Sequence, residues 1–340
     1  MTTATANRQL RLRQRPDQRI DEDTFEAVEH PVPEIGPGQA LVRNLYLSVD
    51  PTNRAWIGEE PTYLPPVGIG EVMRSVGLGR VISSNSDAYP EGALVTGLVG
   101  WQEYTTAGGE GIPLTVVPEL ELPLECMLGA LGLTGVTAWF GIEDIGRPQE
   151  GETMVVSAAA GAVGSVAGQL AKLRGARVVG IAGGTDKCEW LVDELGFDAA
   201  IDRHDANWRE QLRKACPDGV DVDFENVGGE IMHAVFEMLN LNARVALCGL
   251  ISEYNDEPQP GPNLRRVVVN RVRIQGFIIL DWFGRFPEAI TNLGALVASG
   301  KVKDRHTVID GLERAPDALN MLLDGHNVGK LIVKLDESNG

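Results

Sequence analysis

Apolar and polar positions follow two regimes along this chain. Up to about Glu125 the apolar residues come in short β-rich runs, Ala40–Val49, Gly77–Ile82 and Ala93–Leu98 among them. Turn residues such as Val32-Pro-Glu-Ile-Gly-Pro-Gly38 and Tyr89-Pro-Glu-Gly92 separate the runs. Runs of this kind predict short strands joined by tight turns in a compact β-barrel-like domain. The pattern then changes. The apolar run Met154-Val155-Val156 ends in small residues and opens a helix whose apolar face is Ala167, Leu170, Ala171 and Leu173. Further strands are expected at Arg177–Ala182, Ala199–Asp202, Val222–Glu225 and Ala243–Cys248, with a helix over Lys187–Leu195 closed by Gly196. Strands alternating with helices at this spacing predict an α/β fold with a parallel, doubly wound sheet. The last apolar run, Leu331–Leu335, lies far from that series and is expected to return to the first domain, which leaves the α/β part as an insertion.

The turn after Val156 carries the chemistry. A strand, a tight turn of small residues and a helix form the setting in which a glycine-rich loop holds a pyrophosphate. Gly161 lets the backbone approach the phosphates, and Gly164 lets the helix pack closely on its strand. Ala159 stands where the usual G-x-G-x-x-G fingerprint has its first glycine. Ligands of doubly wound sheets sit beyond the carboxyl ends of the strands. Those ends carry Gly161, Gly183-Gly184, Asn226 and Gly249, so a dinucleotide is expected. An NAD site places an acid at the end of its second strand, about 20 residues past the glycine loop. Here that place is Ala182-Gly-Gly-Thr185, with no acid, while Lys187 and Arg203 follow as cations able to pair with a 2′-phosphate. Asp186 is an alternative ribose partner, but the balance favours NADPH over NADH.

Composition narrows the classes. A length of 340 residues suits two domains, and a formal charge of −18 excludes nucleic acid as a partner. No apolar run is long enough to cross a bilayer, and the first residues lack the basic-then-apolar order of a signal peptide, so a cytoplasmic location is expected. The four cysteines (Cys126, Cys188, Cys216, Cys248) have no C-x-x-C spacing, and none of the five histidines forms a ligand pair. Free thiols and no bound metal are expected.

Several separate motifs, in order, resemble one family. They are Leu133-Thr-Gly-Val-Thr-Ala-Trp-Phe-Gly141, Ala158-Ala-Ala-Gly-Ala-Val-Gly-Ser165, Asn226-Val-Gly-Gly229, Cys248-Gly-Leu-Ile-Ser-Glu-Tyr-Asn255 and Gly325-His-Asn-Val-Gly-Lys330. Together they resemble the zinc-free medium-chain dehydrogenase/reductases, and within these the NADPH-dependent alkenal/one oxidoreductases that include the prostaglandin reductases. The segment Glu60–Met73 is most similar to the curcumin-reductase branch. The resemblance implies a Rossmann NADP-binding domain at 129–304, inserted in a GroES-like catalytic domain formed by 1–128 and 305–340.

It also implies site residues. Gly161, Ala162, Val163 and Gly164 would hold the pyrophosphate. Lys187 would hold the 2′-phosphate, with Gly184 beside it and Arg203 where relatives often carry a tyrosine. Thr134, Asn226, Cys248, Gly249, Leu250, Ile251, Ser252 and Tyr254 would line the cofactor. Phe277, Ile278 and Ile279 would lie by the nicotinamide, and Asn327 would reach in from the C-terminal segment. Asn53 would contact cofactor or substrate. The strand holding Phe277–Leu280 would pair with its twofold mate in a homodimer.

The implied reaction is metal-free hydride transfer from NADPH to the β-carbon of an α,β-unsaturated ketone or aldehyde. Negative charge then develops on the carbonyl oxygen, which needs a donor, and the α-carbon must gain a proton. The tyrosine that eukaryotic relatives carry near Val269 is absent from Val267-Val-Val-Asn270. Tyr63 is the first choice to polarise the carbonyl, with Tyr254 and the cofactor's ribose hydroxyl as alternatives and water as the final proton source. Two other activities stay open: a quinone reductase of the same superfamily, and an NADPH-bound sensor without turnover.

Overall fold

The short N-terminal runs become strands β1 (Ala6–Leu12), β2 (Phe25–Pro31), β3 (Ala40–Val49), β4 (Val76–Ser84), β5 (Leu94–Leu98), β6 (Tyr104–Ala107) and β7 (Thr115–Val116). The second regime gives β8 (Thr153–Val156), β9 (Arg177–Ala182), β10 (Ala199–Asp202), β11 (Val220–Glu225), β12 (Leu239–Leu247) and β13 (Arg273–Gly276), and the C-terminal part adds β14 (His306–Asp310) and β15 (Lys330–Lys334). The computed structural model describes residues 6–60, 62–109, 113–118, 120–255 and 260–335. The chain divides into two compact units, one made of 1–128, 306–327 and 331–340, the other of 129–305 and 328–330.

In the first unit a seven-stranded sheet runs β14-β15-β3-β4-β5-β7, with β6 also paired to β3. The hairpin β1-β2 adds to it through isolated bridges Gln9–Gln102 and Arg11–Val72. Apolar residues from most of its strands, including Leu12, Val42, Leu47, Val81, Val95 and Trp101, meet in one core. The last strand, β15, pairs antiparallel with β3, matching Leu331 with Val49.

The second unit holds a six-stranded sheet ordered β10-β9-β8-β11-β12-β13, with every pairing parallel. This is the Rossmann order, with the switch point between β8 and β11. The helix Ala162–Leu173 follows β8 because Val166, Ala167, Leu170 and Ala171 share a buried face, while its exposed end carries Lys172 and Leu173. One expectation is corrected here. The strand foreseen through Phe277–Leu280 ends at Gly276, because Phe277 turns into an aromatic cluster and a helical turn begins at Ile279.

The central strand β11 carries an unusual burden. Its register sets Asp223 beside Val155 of β8 and Val245 of β12, both members of the apolar cluster on that face. Asp223 is fully buried, and among the described residues neither of its carboxyl oxygens has a hydrogen-bond partner. Burial, with the Glu225 carboxyl two residues on, pushes its pKa well above the ordinary carboxylate value. In the unfolded chain the same group ionises near pH ~3.9, so the folded protein holds an extra proton above that pH and stability falls as pH rises towards the folded value. Asp223→Val, a change that suits a central strand, should therefore stabilise the protein. The gap over wild type should widen by up to about 1.4 kcal/mol per pH unit. Urea unfolding at about pH 5 and about pH 8 checks it; a gap independent of pH, or a less stable variant, would count against this account.

Candidate functional site

The carboxyl ends of β8, β9, β10, β11 and β12 gather most of the residues singled out from the sequence. After β8 the chain turns through Ala158, which adopts a left-handed φ of 46°. Gly161 is the N-cap of the helix Ala162–Leu173 and brings no side chain to its N-terminus. The first N–H groups of that helix have no intrahelical partner and sit at its positive end, which suits a phosphate. A Cβ on Gly164 would lie 2.5 Å from Ala158 O and 2.9 Å from Ala159 Cα, so only glycine allows the helix to approach the turn this closely. Ala159, in place of the fingerprint's first glycine, has its methyl accommodated by Gly180 of β9, where a Cβ would come within 2.9 Å of it. The segment 328–330 lies against the same loop: Gly329 N–H donates to Ala160 O at 2.8 Å. Asn327, just before it, is buried.

At the ends of β9 and β10 the two expected cations come together. Lys187 is half-buried, and burial followed by the charge of Arg203 pulls its pKa down. Gly183 is packed by two side chains: an added Cβ would meet His204 Cε1 at 3.1 Å and Arg203 Nε at 3.2 Å. Gly184 has a φ of 101° and donates its N–H to Asp202 Oδ1 at 2.8 Å, where the His204 N–H arrives at 3.0 Å. Partial burial pushes the Asp202 carboxyl up, but those two N–H groups and the nearby His204 and Arg203 hold it below its ordinary value. Asp186, the alternative ribose acid, is exposed in the first turn of the helix Thr185–Glu189.

Between β8 and β11 lies a network that sequence reasoning missed. Ser157 Oγ donates to Glu225 Oε1 at 2.7 Å, and the same oxygen accepts the N–H groups of Val227 at 2.5 Å and Gly228 at 2.9 Å. Asn226 donates its N–H to Ser157 Oγ at 2.7 Å and its side-chain amide to Ser157 O at 2.8 Å. Burial pushes the Glu225 pKa up against the pull of these donors. From β12, Cys248 N–H donates to Glu225 O at 2.8 Å, Ile251 N–H to Asn226 O and Ser252 N–H to Val227 O. Burial, with Glu225 adding, pushes the Cys248 thiol up to about 12, so it is no nucleophile at neutral pH. The Tyr254 hydroxyl stands over Gly249, 3.5 Å from where a Cβ would be. Leu250 fills the space beside Gly228 in the same way, at 3.0 Å.

The remaining candidates fall into three places. Phe277 is buried edge-on to Phe224 (centroids 6.4 Å apart) and Trp282 (6.0 Å), while Ile278 is exposed and Ile279 half-buried. Trp282, a candidate pocket wall, stacks on Phe140 and donates to Asp144 Oδ2 at 2.6 Å. Thr134 Oγ1 donates to Gly129 O at 3.1 Å in the first turn of the helix Leu133–Phe140. In the first unit, Asn53 is buried and closes the turn into the helix Pro51–Trp56: its Oδ1 accepts Asp50 N–H at 2.7 Å and its Nδ2 donates to Arg74 O at 3.0 Å. Tyr63 is half-exposed, hydrogen-bonded to Thr52 Oγ1 and edge-on to Trp56. Burial pushes its phenol above the ordinary value.

Residues 8–114 match the family model described as N-terminal domain of oxidoreductase, and residues 162–295 the model described as zinc-binding dehydrogenase. The chain is 43% identical over 336 residues to the NADPH-dependent curcumin reductase of Escherichia coli (strain K12), covering 97% of each. It is 37% identical over 305 residues to the 2-alkenal reductase (NADP(+)-dependent) of Nicotiana tabacum, covering 89% of this chain and 88% of that one. The crystal structure of CurA in complex with NADPH from Vibrio vulnificus superposes with a TM-score of 0.91 at 42% identity, over 97% of this chain and 99% of that one. With likeness of this extent running through both units, the chain belongs to the alkenal reductase family of the medium-chain dehydrogenase/reductases.

Proposed function

We propose that this chain is an NADPH-dependent reductase of the C=C bond of α,β-unsaturated ketones or aldehydes, working without a metal. The observation that carries this is the near full-length match to the NADPH-dependent curcumin reductase. The glycine cradle at Gly161 and Gly164 fits a dinucleotide, since a side chain at Gly164 would fill it. NADPH, when bound, supplies the hydride for the β-carbon. The chain's own residues do the rest. The first-turn N–H groups of Ala162 and Val163 take the pyrophosphate, Lys187 and Arg203 the 2′-phosphate, and Asn226 with Cys248, Gly249, Leu250, Ile251, Ser252 and Tyr254 the nicotinamide half. Thr134, Gly184, Phe277, Ile278, Ile279 and Asn327 complete the cofactor surface, and Asn53 holds the turn beside Tyr63. The Tyr63 hydroxyl polarises the substrate carbonyl as it gains negative charge, and water supplies the proton to the α-carbon.

Two further assignments belong to this proposal. Among the described residues no helix is long and apolar enough to cross a membrane, and four free thiols suit the reducing cytoplasm. The second unit leaves apolar side chains uncovered at Val268, Val269, Ile274, Leu280 and Phe283, beside β13 at the edge of its sheet. A second copy of the chain covers them, as an exposed apolar edge otherwise invites aggregation.

Turnover is the direct test. NADPH oxidation should be saturable with enones and enals and far weaker with NADH; turnover confined to quinones, or NADPH binding with no turnover on any carbonyl, would overturn the proposal. Lys187→Ala and Arg203→Ala should each raise the KM for NADPH about tenfold or more, leave kcat close to wild type and not affect the KM for NADH. An equal loss with both cofactors would mean that neither side chain reads the 2′-phosphate. Light scattering should give twice the mass of one chain, and Ile274→Lys with Phe283→Lys should yield a monomer. A wild-type monomer would remove the dimer assignment.

A further inference from the structure

Tyr63 is held by a set of side chains that neither the motifs nor the cofactor site accounts for. Pro51 at the first turn of the helix Pro51–Trp56, together with the reciprocal Asp50–Asn53 bonds, locks the start of that helix and hence Thr52. Thr52 Oγ1 and the Tyr63 hydroxyl are hydrogen-bonded, and either oxygen can be the donor. The tyrosine ring stands edge-on to Trp56, with centroids 6.5 Å apart and planes at 74°. Arg74 lies over the same Trp56 ring at 5.4 Å and donates to Pro65 O at 2.7 Å, which pins the Pro65-Pro66 loop that follows Tyr63. The charged groups facing the phenol are Asp50 and Arg74.

A phenol has one proton to give. If it goes to Thr52, it is not available to a substrate carbonyl, so the partner must be able to reverse its role. A threonine hydroxyl can, because it both donates and accepts and rotates freely about its C–O bond.

We propose that Thr52 is a positioning residue for Tyr63, a hydroxyl rotor that accepts from the phenol at rest and donates to it when the phenol turns to the substrate carbonyl. The inference rests on the assignment of Tyr63 as the carbonyl-polarising group. As the carbonyl oxygen becomes an enolate it is a far better acceptor than Thr52, and the phenol O–H moves to it. Thr52 then turns its own O–H to the phenol oxygen, and the two bonds strengthen each other. The phenol proton shifts to the enolate oxygen and returns when water protonates the α-carbon. Each turnover therefore consumes one solvent proton and regenerates the phenol, while the two electrons come from NADPH. Burial disfavours the transient phenolate and Asp50 adds to that, whereas the Thr52 hydrogen bond and the Arg74 charge favour it. The Trp56 indole N–H is buried and outside hydrogen-bonding geometry, and it acts on the phenol through its dipole alone.

The test compares Thr52→Val, which keeps the shape and removes the hydroxyl, with Thr52→Ser, which restores it, and with Tyr63→Phe. Each is assayed with NADPH and an enone. The Tyr63 phenol is also titrated by its phenolate absorbance, as the difference between each protein and the same protein carrying Tyr63→Phe. Thr52→Val should lower kcat roughly tenfold with the KM for NADPH unchanged and should move the phenol titration upward. Thr52→Ser should recover both. Wild-type kcat and an unmoved titration in Thr52→Val, beside a slow Tyr63→Phe, would overturn the rotor alone. A loss that Thr52→Ser does not recover would likewise overturn it, as a packing defect. Full activity in Tyr63→Phe would overturn the role of Tyr63 itself.

Discussion

One carboxylate, sealed from water, binds the working edge of the second unit together. Glu225 Oε1 takes the Ser157 hydroxyl and two backbone N–H groups from the turn after β11. Ser157 is the residue that leaves β8 for the glycine loop, so the loop that receives a pyrophosphate and the loop headed by Asn226 move as one piece. The turn after β12 is fastened to the same place through Cys248, Ile251 and Ser252. A buried carboxyl without such donors would destabilise the fold by several kcal/mol, whereas hydrogen bonds to a charged group contribute about 1.5–3 kcal/mol each. Loops that are otherwise short and glycine-rich thus gain a fixed geometry before any ligand arrives, and preorganisation of that kind is what binding sites need.

Much of this unit is legible in the chain, and the exceptions have physical causes. Strands β9 and β10 coincide with the apolar runs Arg177–Ala182 and Ala199–Asp202, since both are bounded by charge or glycine at each end. Lys187 and Arg203 stand on different elements, and their meeting follows from the parallel pairing of β9 with β10, which topology predicts. The run Val220-Asp-Val-Asp-Phe-Glu225 misleads. Alternating acids suggest a strand with one wet face, yet β11 is central, and Asp223 and Glu225 point into protein. Acid and apolar residues in alternation carry no sign of which face meets a helix, so the Ser157–Glu225 network stays invisible until the sheet is assembled. The same limit hides His204, which touches Gly183 only through a turn, and Thr52, whose partner lies eleven residues on.

The imperfect glycine fingerprint shows how local rules trade places. Ala159 adds a methyl where the motif wants none, and the turn is kept because Gly180 on β9 removes one opposite it. The left-handed backbone that the turn needs is carried by Ala158, at a cost on the order of 1–2 kcal/mol for a non-glycine residue. Gly164 cannot be exchanged in this way. Its neighbours are backbone atoms of Ala158 and Ala159, which have nowhere to move without opening the loop. The fingerprint is better understood as a volume constraint shared by two strands and a helix than as three fixed letters.

The charge balance explains why the cations at the ends of β9 and β10 are placed as they are. A chain of net charge −18 repels a phosphate-rich ligand at long range, so attraction has to be local. Lys187 and Arg203 sit close enough to disfavour each other's charge, and burial adds to the strain on Lys187. A dianionic group placed between them relieves that repulsion and gains two charge-assisted contacts at once. A ribose hydroxyl does neither, so the same side chains that attract a 2′-phosphate leave the cofactor lacking it facing an uncompensated pair of like charges. Discrimination therefore comes as much from the repulsion left unrelieved with the wrong cofactor as from the attraction made with the right one. Asp202, held ionised by the Gly184 and His204 N–H groups, keeps this corner in shape without neutralising either cation.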